Sequence, residues 1–255
     1  MKVFVTGVAG QLGHDVMNEL NKRGYEGIGS DIAPEYSGVQ DGSAVATMPY
    51  VSLDITNKEN VENVLTELKP DVIVHCAAWT AVDLAEDDDK VERVRSINAG
   101  GTENIAKVCK KLDSKMVYIS TDYVFNGKSD HPYIEFDTPD PQGIYGKTKL
   151  QGENMVKQFA DRFFIFRTAW LYGDGRNFVK TMLRLSETND QVSVVKDQVG
   201  SPTSTKELAG AIAHLLFTEN YGLFHATCEG SCSWADFAEE IFRLAGKNTK
   251  VNHIT

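Results

Sequence analysis

The sequence predicts an α/β protein built on a parallel β-sheet, and three features of the chain support this prediction. Short apolar segments alternate with amphipathic helical segments through most of the 255 residues. The segment DVIVHCAA (71–78) is almost continuously apolar, as a strand covered on both faces should be. The first strand, KVFVT (2–6), leads through a glycine-rich loop into a helix. Strands that alternate with helices imply right-handed crossovers between parallel strands.

The elements follow one another in a regular order up to residue 173. We predict strands at 2–6, 27–31, 50–54, 71–78, 115–121 and 163–173. The helices between them are predicted at 14–24, at 57–70, from Asp87 to Leu112, and in a segment that carries Tyr145. Residues 34–49 form a polar loop, and the acidic run Glu86–Asp89 is interpreted as a helix N-terminus.

The pattern loosens after residue 173. Helices are predicted in NFVKTMLRLSE, STKELAGAIAHLLFTEN and SWADFAEEIFRLAG, the last of them capped by Ser231 or Ser233. GLFHATC predicts a strand, and KVNHI the start of another. We therefore predict a core domain at 1–173 and a smaller C-terminal lobe at 174–255, whose strands could return to the core.

Composition excludes several classes of protein. The net charge of -10 argues against nucleic acid or an anionic membrane as the main partner. Four cysteines are too few for a secreted disulfide scaffold, and Cys228 and Cys232 have poor spacing for zinc. The chain opens without a signal peptide and has no apolar run of membrane-spanning length. A reduced, cytoplasmic setting is expected.

The loop TGVAGQLG has the composition of a dinucleotide-binding turn. Its glycines stand three residues apart between a strand and a helix, which lets the backbone approach a pyrophosphate at the helix N-terminus. The sequence therefore predicts a Rossmann-type, doubly wound parallel sheet. The predicted cofactor contacts here are Gly7, Gly10, Gln11, Leu12 and Gly13.

Two acidic residues follow later strands on the adenosine side of this predicted site. Asp31 ends the second strand, where a carboxylate would accept hydrogen bonds from the ribose hydroxyls and repel a 2′-phosphate. The cofactor is thus NADH or NADPH, with NADH favoured. Asp54 and Ile55 could contact the adenine, but a role for Asp54 in capping the next helix is an equal alternative.

Three unusual segments fall at the carboxyl ends of the predicted strands, where such sheets bind ligands. CAAWTAVDLAE (76–86) follows the fourth strand, STDYVF (120–125) the fifth, and Tyr145 and Lys149 lie on the next helix. The four-residue spacing stacks the phenol and the ammonium on one helical face, where the cation could lower the pKa of the phenol. Ser120 or Thr121 could bind a substrate carbonyl that Tyr145 protonates, or they could cap a turn.

The motifs TGVAGQLG, STDYVF, YGKTK and DQVGSPT together resemble the extended short-chain dehydrogenase/reductase superfamily. Within it, STDYVF, AWTAVD and DQVGSPT are similar to the dTDP-4-dehydrorhamnose reductase family, and the resemblance runs from residue 1 to about 245. It implies that hydride passes from a nicotinamide to the 4-keto carbon of a nucleotide sugar. It also implies that residues 174–255 form a substrate-binding lobe.

The resemblance implies a role for each matching position. The catalytic residues would be Thr121, Tyr145 and Lys149. Ala77, Ala78, Tyr145 and Lys149 would complete the cofactor site. The residues near the sugar or its nucleotide would be Thr80, Val82, Asp83, Thr121, Trp170 and Asn177. Asn98 resembles a structural asparagine of the superfamily. Trp170 could equally be a buried strand aromatic, and for Arg167 we favour a structural ion pair.

The chain departs from the family pattern at the start of its first helix, where His14 and Asp15 replace a carboxylate that some members link to a magnesium-mediated dimer. Because Asp15 is shorter than glutamate, we predict no required metal, while a homodimer remains an open possibility. Loop 34–49 is also long for the family.

Two alternatives stand beside reduction: a nucleotide-sugar epimerase or dehydratase, and a non-catalytic regulatory subunit. Asp122 and Tyr123 lack the second acid expected after the catalytic threonine of a dehydratase.

Overall fold

A central parallel sheet organises the protein, and the computed structural model describes all residues, 1–255. The thirteen strands are β1 (Lys2–Thr6), β2 (Glu26–Asp31), β3 (Tyr50–Ser52), β4 (Val72–His75), β5 (Lys115–Thr121), β6 (Phe163–Thr168), β7 (Leu171–Tyr172), β8 (Gln191–Val195), β9 (Val199–Gly200), β10 (Thr203–Ser204), β11 (Gly222–His225), β12 (Cys232–Ser233) and β13 (Lys250–Ile254). The α-helices are α1 (Gln11–Lys22), α2 (Lys58–Leu68), α3 (Val91–Arg95), α4 (Thr102–Leu112), α5 (Ile144–Phe159), α6 (Phe178–Leu185), α7 (Thr205–Leu215) and α8 (Trp234–Leu244).

The order of strands in the main sheet is that of a doubly wound fold. Seven strands pair in the order β11-β6-β5-β4-β1-β2-β3, and every pairing is parallel. The chain reverses its direction of winding between β1 and β4, so the crevice used by ligands lies at the carboxyl ends of these two strands. The predicted Rossmann-type fold is confirmed.

Apolar helical faces cover both sides of this sheet. One buried cluster joins β1, β4 and β6 to α1 and α7, and a second joins the opposite face to α2, α4 and α5. A third, smaller cluster lies in the C-terminal lobe between α6, β8 and α8. The strand residues alternate between the first two clusters, as the period of two requires.

Several predicted elements differ in extent from the observed ones: the strand predicted at 71–78 ends at His75 and the strand predicted at 50–54 ends at Ser52, and two further elements contain a break that the sequence does not predict. The helix predicted from Asp87 begins at Val91, and residues Ser96–Gly101 form a π-helical segment before the α-helix resumes. The strand predicted at 163–173 ends at Thr168, because Trp170 takes the left-handed conformation with φ of 48° and interrupts the pairing. Hydrophobic periodicity does not reveal either break, because the pattern of apolar residues continues through both of them.

The residues after position 173 contribute to the core as well as to a lobe. β11 adds to the sheet beside β6, and α7 packs against α1. α6, β8, α8 and β13 form the separate apolar cluster, and Ser233 begins α8 in a capping box with Asp236. The domain boundary at 173 stays a prediction. None of the helices has the length and apolarity needed to cross a membrane.

Candidate active site

The glycine loop between β1 and α1 has the geometry that a dinucleotide requires. Gly7 has φ of 72°, and a Cβ there would lie 2.6 Å from the backbone nitrogen of Ala77, so the loop passes directly against the end of β4. Gly10 begins α1 without any side-chain cap, which leaves the N-terminal amides of the helix free for an anion. Gly13 leaves no space for a Cβ against Gly7, so helix and loop are in direct contact.

The other predicted cofactor residues occupy different positions around this loop. Leu12 and Ile55 are buried in the core, so only their backbones could meet a ligand. Asp31 accepts a hydrogen bond from the backbone nitrogen of Ala9 (3.1 Å), which places its carboxylate beside the loop. Asp54 accepts hydrogen bonds from the backbone and hydroxyl of Thr56 and does not cap the next helix, whose N-cap is Asn57.

Gln11 and Asn177, predicted for cofactor and substrate respectively, are joined to each other. The Asn177 amide donates a hydrogen bond to Gln11 Oε1 (2.9 Å), and the backbone nitrogen of Gly173 donates to the same oxygen (3.0 Å). Asn177 also caps α6 by accepting a hydrogen bond from Lys180. These contacts tie the start of the C-terminal segment to the glycine loop.

Asn98 braces the loop after β4 against α5. Its side chain accepts a hydrogen bond from the backbone nitrogen of Trp79 (2.8 Å) and donates one to the hydroxyl of Thr148 (3.1 Å). The residue is buried within the π-helical segment. A π-bulge turns a side chain out of the regular helical position, and such bulges are frequent at functional sites.

The helix that carries Tyr145 is held at its first turn by a residue from the loop after β4. Glu86 accepts a hydrogen bond from the backbone nitrogen of Ile144 (2.7 Å), which satisfies one of the free amides at the start of α5. The acidic run was predicted to begin its own helix, but Glu86 lies in a short 3-10 turn and serves a different helix. The sequence contains no local signal for this long-range contact.

Thr121 lies at the meeting point of β5 and α5. Its hydroxyl donates a hydrogen bond to Asp122 Oδ1 (2.9 Å) and accepts one from the backbone nitrogen of Tyr123 (3.2 Å). The Tyr145 phenol lies near the same hydroxyl, which acts to lower the pKa of the phenol against the larger effect of burial. Thr121 therefore caps the turn, as one alternative predicted, and also faces the candidate proton donor.

Tyr145, Lys149 and Glu153 follow one another at intervals of one helical turn. Lys149 is only 3% exposed, and its ammonium lies 4.2 Å from the centre of the Tyr118 ring. The hydroxyl of Tyr118 in turn donates a hydrogen bond to the Lys149 carbonyl (3.2 Å). The face of α5 that points to the sheet is thus occupied by titratable groups.

Burial dominates the electrostatics of the candidate catalytic groups. It lowers the pKa of Lys149 to about 7, although Glu153 and Cys76 act in the opposite direction. It raises the pKa of the Tyr145 phenol well above its ordinary value, with further contributions from Asp122 and Tyr123. The Lys149 ammonium faces the Tyr118 ring in this structure, and the expectation that it lowers the pKa of Tyr145 stays a prediction.

Asp122 is the second group with a strongly shifted proton affinity. Burial raises the pKa of its carboxyl to about 6, and the hydrogen bond from Thr121 only partly offsets this effect. Because Asp122 accepts the single hydroxyl hydrogen of Thr121, the Thr121 oxygen can take part in further hydrogen bonds only as an acceptor. The carboxylate thus determines which way the Thr121 hydroxyl points.

The predicted sugar-side residues line the rim beyond these groups. Thr80 and Asp83 are exposed and Val82 is partly buried, in the loop between β4 and α3. Trp170 is partly buried and follows β6, so it reaches the same edge of the sheet from the other side of β5. The assignment of these residues to a substrate stays a prediction.

A group of possible metal ligands lies apart from the catalytic residues. Ligand atoms of His14, Asp41 and Asp174 approach within 4.8 Å of one another, beside α1. Asp15, which was considered for this role, instead accepts a hydrogen bond from Thr205. The prediction that no metal is required stays a prediction.

Comparison with known proteins places the chain in a family. The model of the RmlD substrate binding domain matches residues 1–255. A crystal structure of a dTDP-4-dehydrorhamnose reductase from Clostridium acetobutylicum superposes with a TM-score of 0.90 at 46% identity, covering 100% of this chain and 84% of that one. This chain belongs to the dTDP-4-dehydrorhamnose reductase family. It is a nicotinamide-dependent oxidoreductase, as the other members are.

Two further relatives bear on cofactor and substrate. The dTDP-4-dehydrorhamnose reductase of Bacillus anthracis, solved in complex with NADP, has a TM-score of 0.88 and 40% identity, covering 100% of this chain and 84% of that one. A dTDP-4-keto-6-deoxy-D-glucose reductase of Streptomyces niveus is 38% identical over 95% of this chain and 78% of its own length. Family membership agrees with the resemblance that the motifs indicate.

Proposed function

We propose that this reductase converts dTDP-4-dehydro-L-rhamnose into dTDP-L-rhamnose, with Tyr145 as the proton donor. The observation that carries the proposal is the convergence of Thr121, Tyr145 and Lys149 at the carboxyl edge of the sheet, beside the glycine loop. Nucleotide-sugar reduction is the reaction for which the related proteins are named. The proposed pathway leads to the rhamnose of cell-surface polysaccharide.

Each of these residues has a separate proposed role in the reduction of the carbonyl group. A bound nicotinamide would supply the hydride to the 4-keto carbon. Tyr145 gives its proton to the carbonyl oxygen as that oxygen becomes an alkoxide, and a phenol with a raised pKa stays protonated at neutral pH and can serve as the acid. Thr121, whose hydroxyl lies near the phenol, would align it with the substrate oxygen.

Lys149 serves the cofactor as well as the phenol in this proposal. Its ammonium would bind the nicotinamide ribose, and a cationic Lys149 favours a negative charge on Tyr145 after proton transfer. Because burial holds the pKa of Lys149 at about 7 in the ligand-free chain, the anionic dinucleotide should bring the proton back. Binding of the cofactor thereby charges the residue that the reaction needs.

We also propose that NADH is the better of the two cofactors. Asp31 ends β2 with its carboxylate already oriented by Ala9, where it would meet the adenosine ribose. A 2′-phosphate at that position would be repelled by the carboxylate. The Bacillus anthracis relative binds NADP, so the preference is a property to be measured for this chain.

The proposal further assigns substrate recognition to the C-terminal segment. Residues 174–255 would form the substrate-binding lobe, with Trp170 and Asn177 at its junction with the core and the loop of Thr80, Val82 and Asp83 opposite. The partner is a small nucleotide sugar and not a nucleic acid, in line with the net charge of -10. A homodimer is compatible with this assignment and would be tested by sedimentation.

One experiment separates the candidate functions. The chain is incubated with NADH or NADPH and dTDP-4-dehydro-L-rhamnose, and the product is identified by NMR. Consumption of the cofactor with formation of dTDP-L-rhamnose supports the proposal. Reduction of dTDP-4-keto-6-deoxy-D-glucose in its place would assign the substrate of the Streptomyces niveus relative. Product formation without net consumption of NADH would indicate an epimerase or dehydratase, and no turnover would indicate a regulatory subunit.

A further inference from the structure

Trp170 adopts a backbone conformation that bulky residues rarely take. Its φ of 48° lies in the left-handed region, directly after the buried strand β6. Its carbonyl accepts a hydrogen bond from the backbone nitrogen of Thr203 (3.2 Å), which ties the residue to the start of β10, the strand that pairs with β7. A strained residue that the surrounding structure holds in place is a candidate for a functional role.

Both faces of the Trp170 indole are covered. Trp234 stacks on one face, with ring centroids 3.5 Å apart and planes inclined by 8°. A Cβ on Gly200 would lie 2.5 Å from Trp170 Cε2 and 2.7 Å from both Cζ2 and Nε1. Nearly equal distances to three consecutive ring atoms place Gly200 over a ring face. Because Trp234 fills one face, Gly200 covers the other.

Gly200 and Trp234, which cover the two faces of the indole, are brought together by the pairing of two short strands. β9 and β12 are antiparallel, with Gly200 opposite Cys232, so the start of α8 is next to Gly200. Phe178 and Phe237 then pack around Trp234, with ring centroids 4.5 Å and 6.3 Å from it. The stack therefore joins the end of a core strand to the apolar cluster of the C-terminal lobe.

The edge of the Trp170 indole is the part that remains available. The indole N–H of Trp79 donates to the carbonyl of Ala81 (3.0 Å), whereas the N–H of Trp170 has no partner in the protein and is not sealed from solvent. An N–H that has no partner and is not fully buried can donate to an acceptor on a ligand. Nucleotide sugars carry such acceptors on the pyrophosphate and the sugar ring.

We infer that Trp234 and Gly200 are positioning residues. They cover the two faces of the Trp170 indole, so that the nucleotide sugar contacts the indole N–H and not a ring face. This inference rests on the proposed function, since Trp170 is a substrate residue only there. It adds two residues of the C-terminal segment that touch no substrate but determine how Trp170 is presented. Glycine at position 200 follows from the same arrangement, because any larger residue would displace the ring.

The first test measures the Michaelis constant for the nucleotide sugar. Trp170→Phe keeps an aromatic face but loses the N–H, so KM should rise roughly five- to tenfold, with kcat and the Kd for NADH within about threefold of wild type. Trp234→Ala and Gly200→Ala should raise KM by a similar factor. Trp234→Phe, which keeps a stacked ring, should restore most of the wild-type KM. A wild-type KM in Trp170→Phe would overturn the edge contact.

The second test reads the stack directly and does not require turnover. Two parallel indoles couple optically, so near-UV circular dichroism should show a couplet that disappears in Trp234→Ala and persists in Trp79→Phe. Titration with dTDP-L-rhamnose should leave the couplet in place, whereas a ligand that stacks on the ring face would displace Trp234 and abolish it. If the wild type binds dTDP-L-rhamnose with the couplet intact but reduces no 4-keto sugar, the proposed function fails and the inference stands. Melting curves identify any variant that does not fold, and Gly200→Ala then replaces Trp234→Ala.

Discussion

Glu153 accepts two hydrogen bonds from Arg167, each 2.8 Å long, in an ion pair that is almost completely buried. The expected ion pair of Arg167 is thus present, and Glu153 also accepts the hydroxyl hydrogen of Ser120 (2.7 Å). Although burial opposes ionisation, these hydrogen bonds hold the pKa of Glu153 below its ordinary value. The pair links β5, β6 and α5 directly behind Thr121 and Lys149.

Removal of the Glu153 charge should cost both stability and activity. Glu153→Gln leaves Arg167 without its buried counter-ion, so we expect a loss of about 3–5 kcal/mol in the free energy of unfolding. Lys149 also loses the carboxylate that raises its pKa, so the loss of the remaining activity at high pH should begin at a lower pH than in the wild type. Lys157→Ala is the matched control, because that half-exposed lysine touches Glu153 at 3.3 Å and should cost less than about 1 kcal/mol. Equal losses in the two variants would contradict the assignment.

Tyr145→Phe should abolish most turnover without weakening the cofactor complex. Loss of the general acid should lower kcat by roughly 10²–10⁴-fold, whereas the Kd for NADH should change little because the ring remains. Tyr123→Phe is the control. The ring of Tyr123 packs edge to face against that of Tyr145, with ring centroids 5.6 Å apart, but its hydroxyl has no assigned role. Wild-type kcat in Tyr145→Phe would show that another group donates the proton.

Lys149 should take up a proton when the dinucleotide binds. The pKa of about 7 leaves most of the ligand-free chain neutral at this position at pH 8, and a bound anionic cofactor raises that pKa. Calorimetric titrations of NADH at pH 8 in buffers of different ionisation enthalpy should therefore report uptake of close to one proton. The uptake should vanish in Lys149→Met. Lys149→Arg keeps a charge but changes its shape and reach, so it should recover binding more than rate.

Asp122→Asn should stabilise the folded chain at alkaline pH and impair catalysis. Because the folded-state pKa is raised from 3.8 to about 6, the folded state binds its proton more tightly, and stability is lost as pH rises through this window. The substitution should thus add up to about 3 kcal/mol at pH 8 and little at pH 3, as measured by denaturation at each pH. Turnover should fall, since the amide can donate to Thr121 and reverse the direction of its hydroxyl. If the change in the free energy of unfolding were the same at every pH, the conclusion that burial raises the pKa of Asp122 would be wrong.

Asp31→Ala should reduce any preference for NADH over NADPH. The substitution removes both the repulsion of a 2′-phosphate and a hydrogen-bond acceptor for the ribose. The ratio of kcat/KM for the two cofactors measures the effect, and Asp54→Ala serves as a control on the neighbouring strand end. An unchanged ratio would mean that Asp31 does not face the ribose.

Local patterns in the sequence were sufficient to predict the fold, and they also predict the candidate catalytic positions, which stay predictions. The strand, glycine loop and helix at the N-terminus follow from neighbours in the chain, and so does the stacking of Tyr145 and Lys149 on one face of α5. The contacts that hold them were not predictable in the same way. Glu86 reaches Ile144 across 58 residues, and Ser120 reaches Glu153 across 33, so no spacing rule connects them.

The electrostatic state of the site was also beyond reach of the sequence. The four-residue spacing suggested that Lys149 faces Tyr145, but helical spacing does not specify the direction of a long side chain. The Lys149 ammonium lies over the Tyr118 ring, and burial has the largest influence on the pKa values of both Tyr145 and Lys149. The enclosure of Trp170 depends in the same way on Trp234, 64 residues later, which only the folded chain brings into contact.

The hydrogen bond from the backbone nitrogen of Ile144 to Glu86 connects the start of α5 directly to the loop that follows β4. Thr80, Val82 and Asp83 belong to that same loop, only a few residues before Glu86. If these residues contact the sugar as proposed, a ligand that shifts the loop would also act on the helix that carries Tyr145.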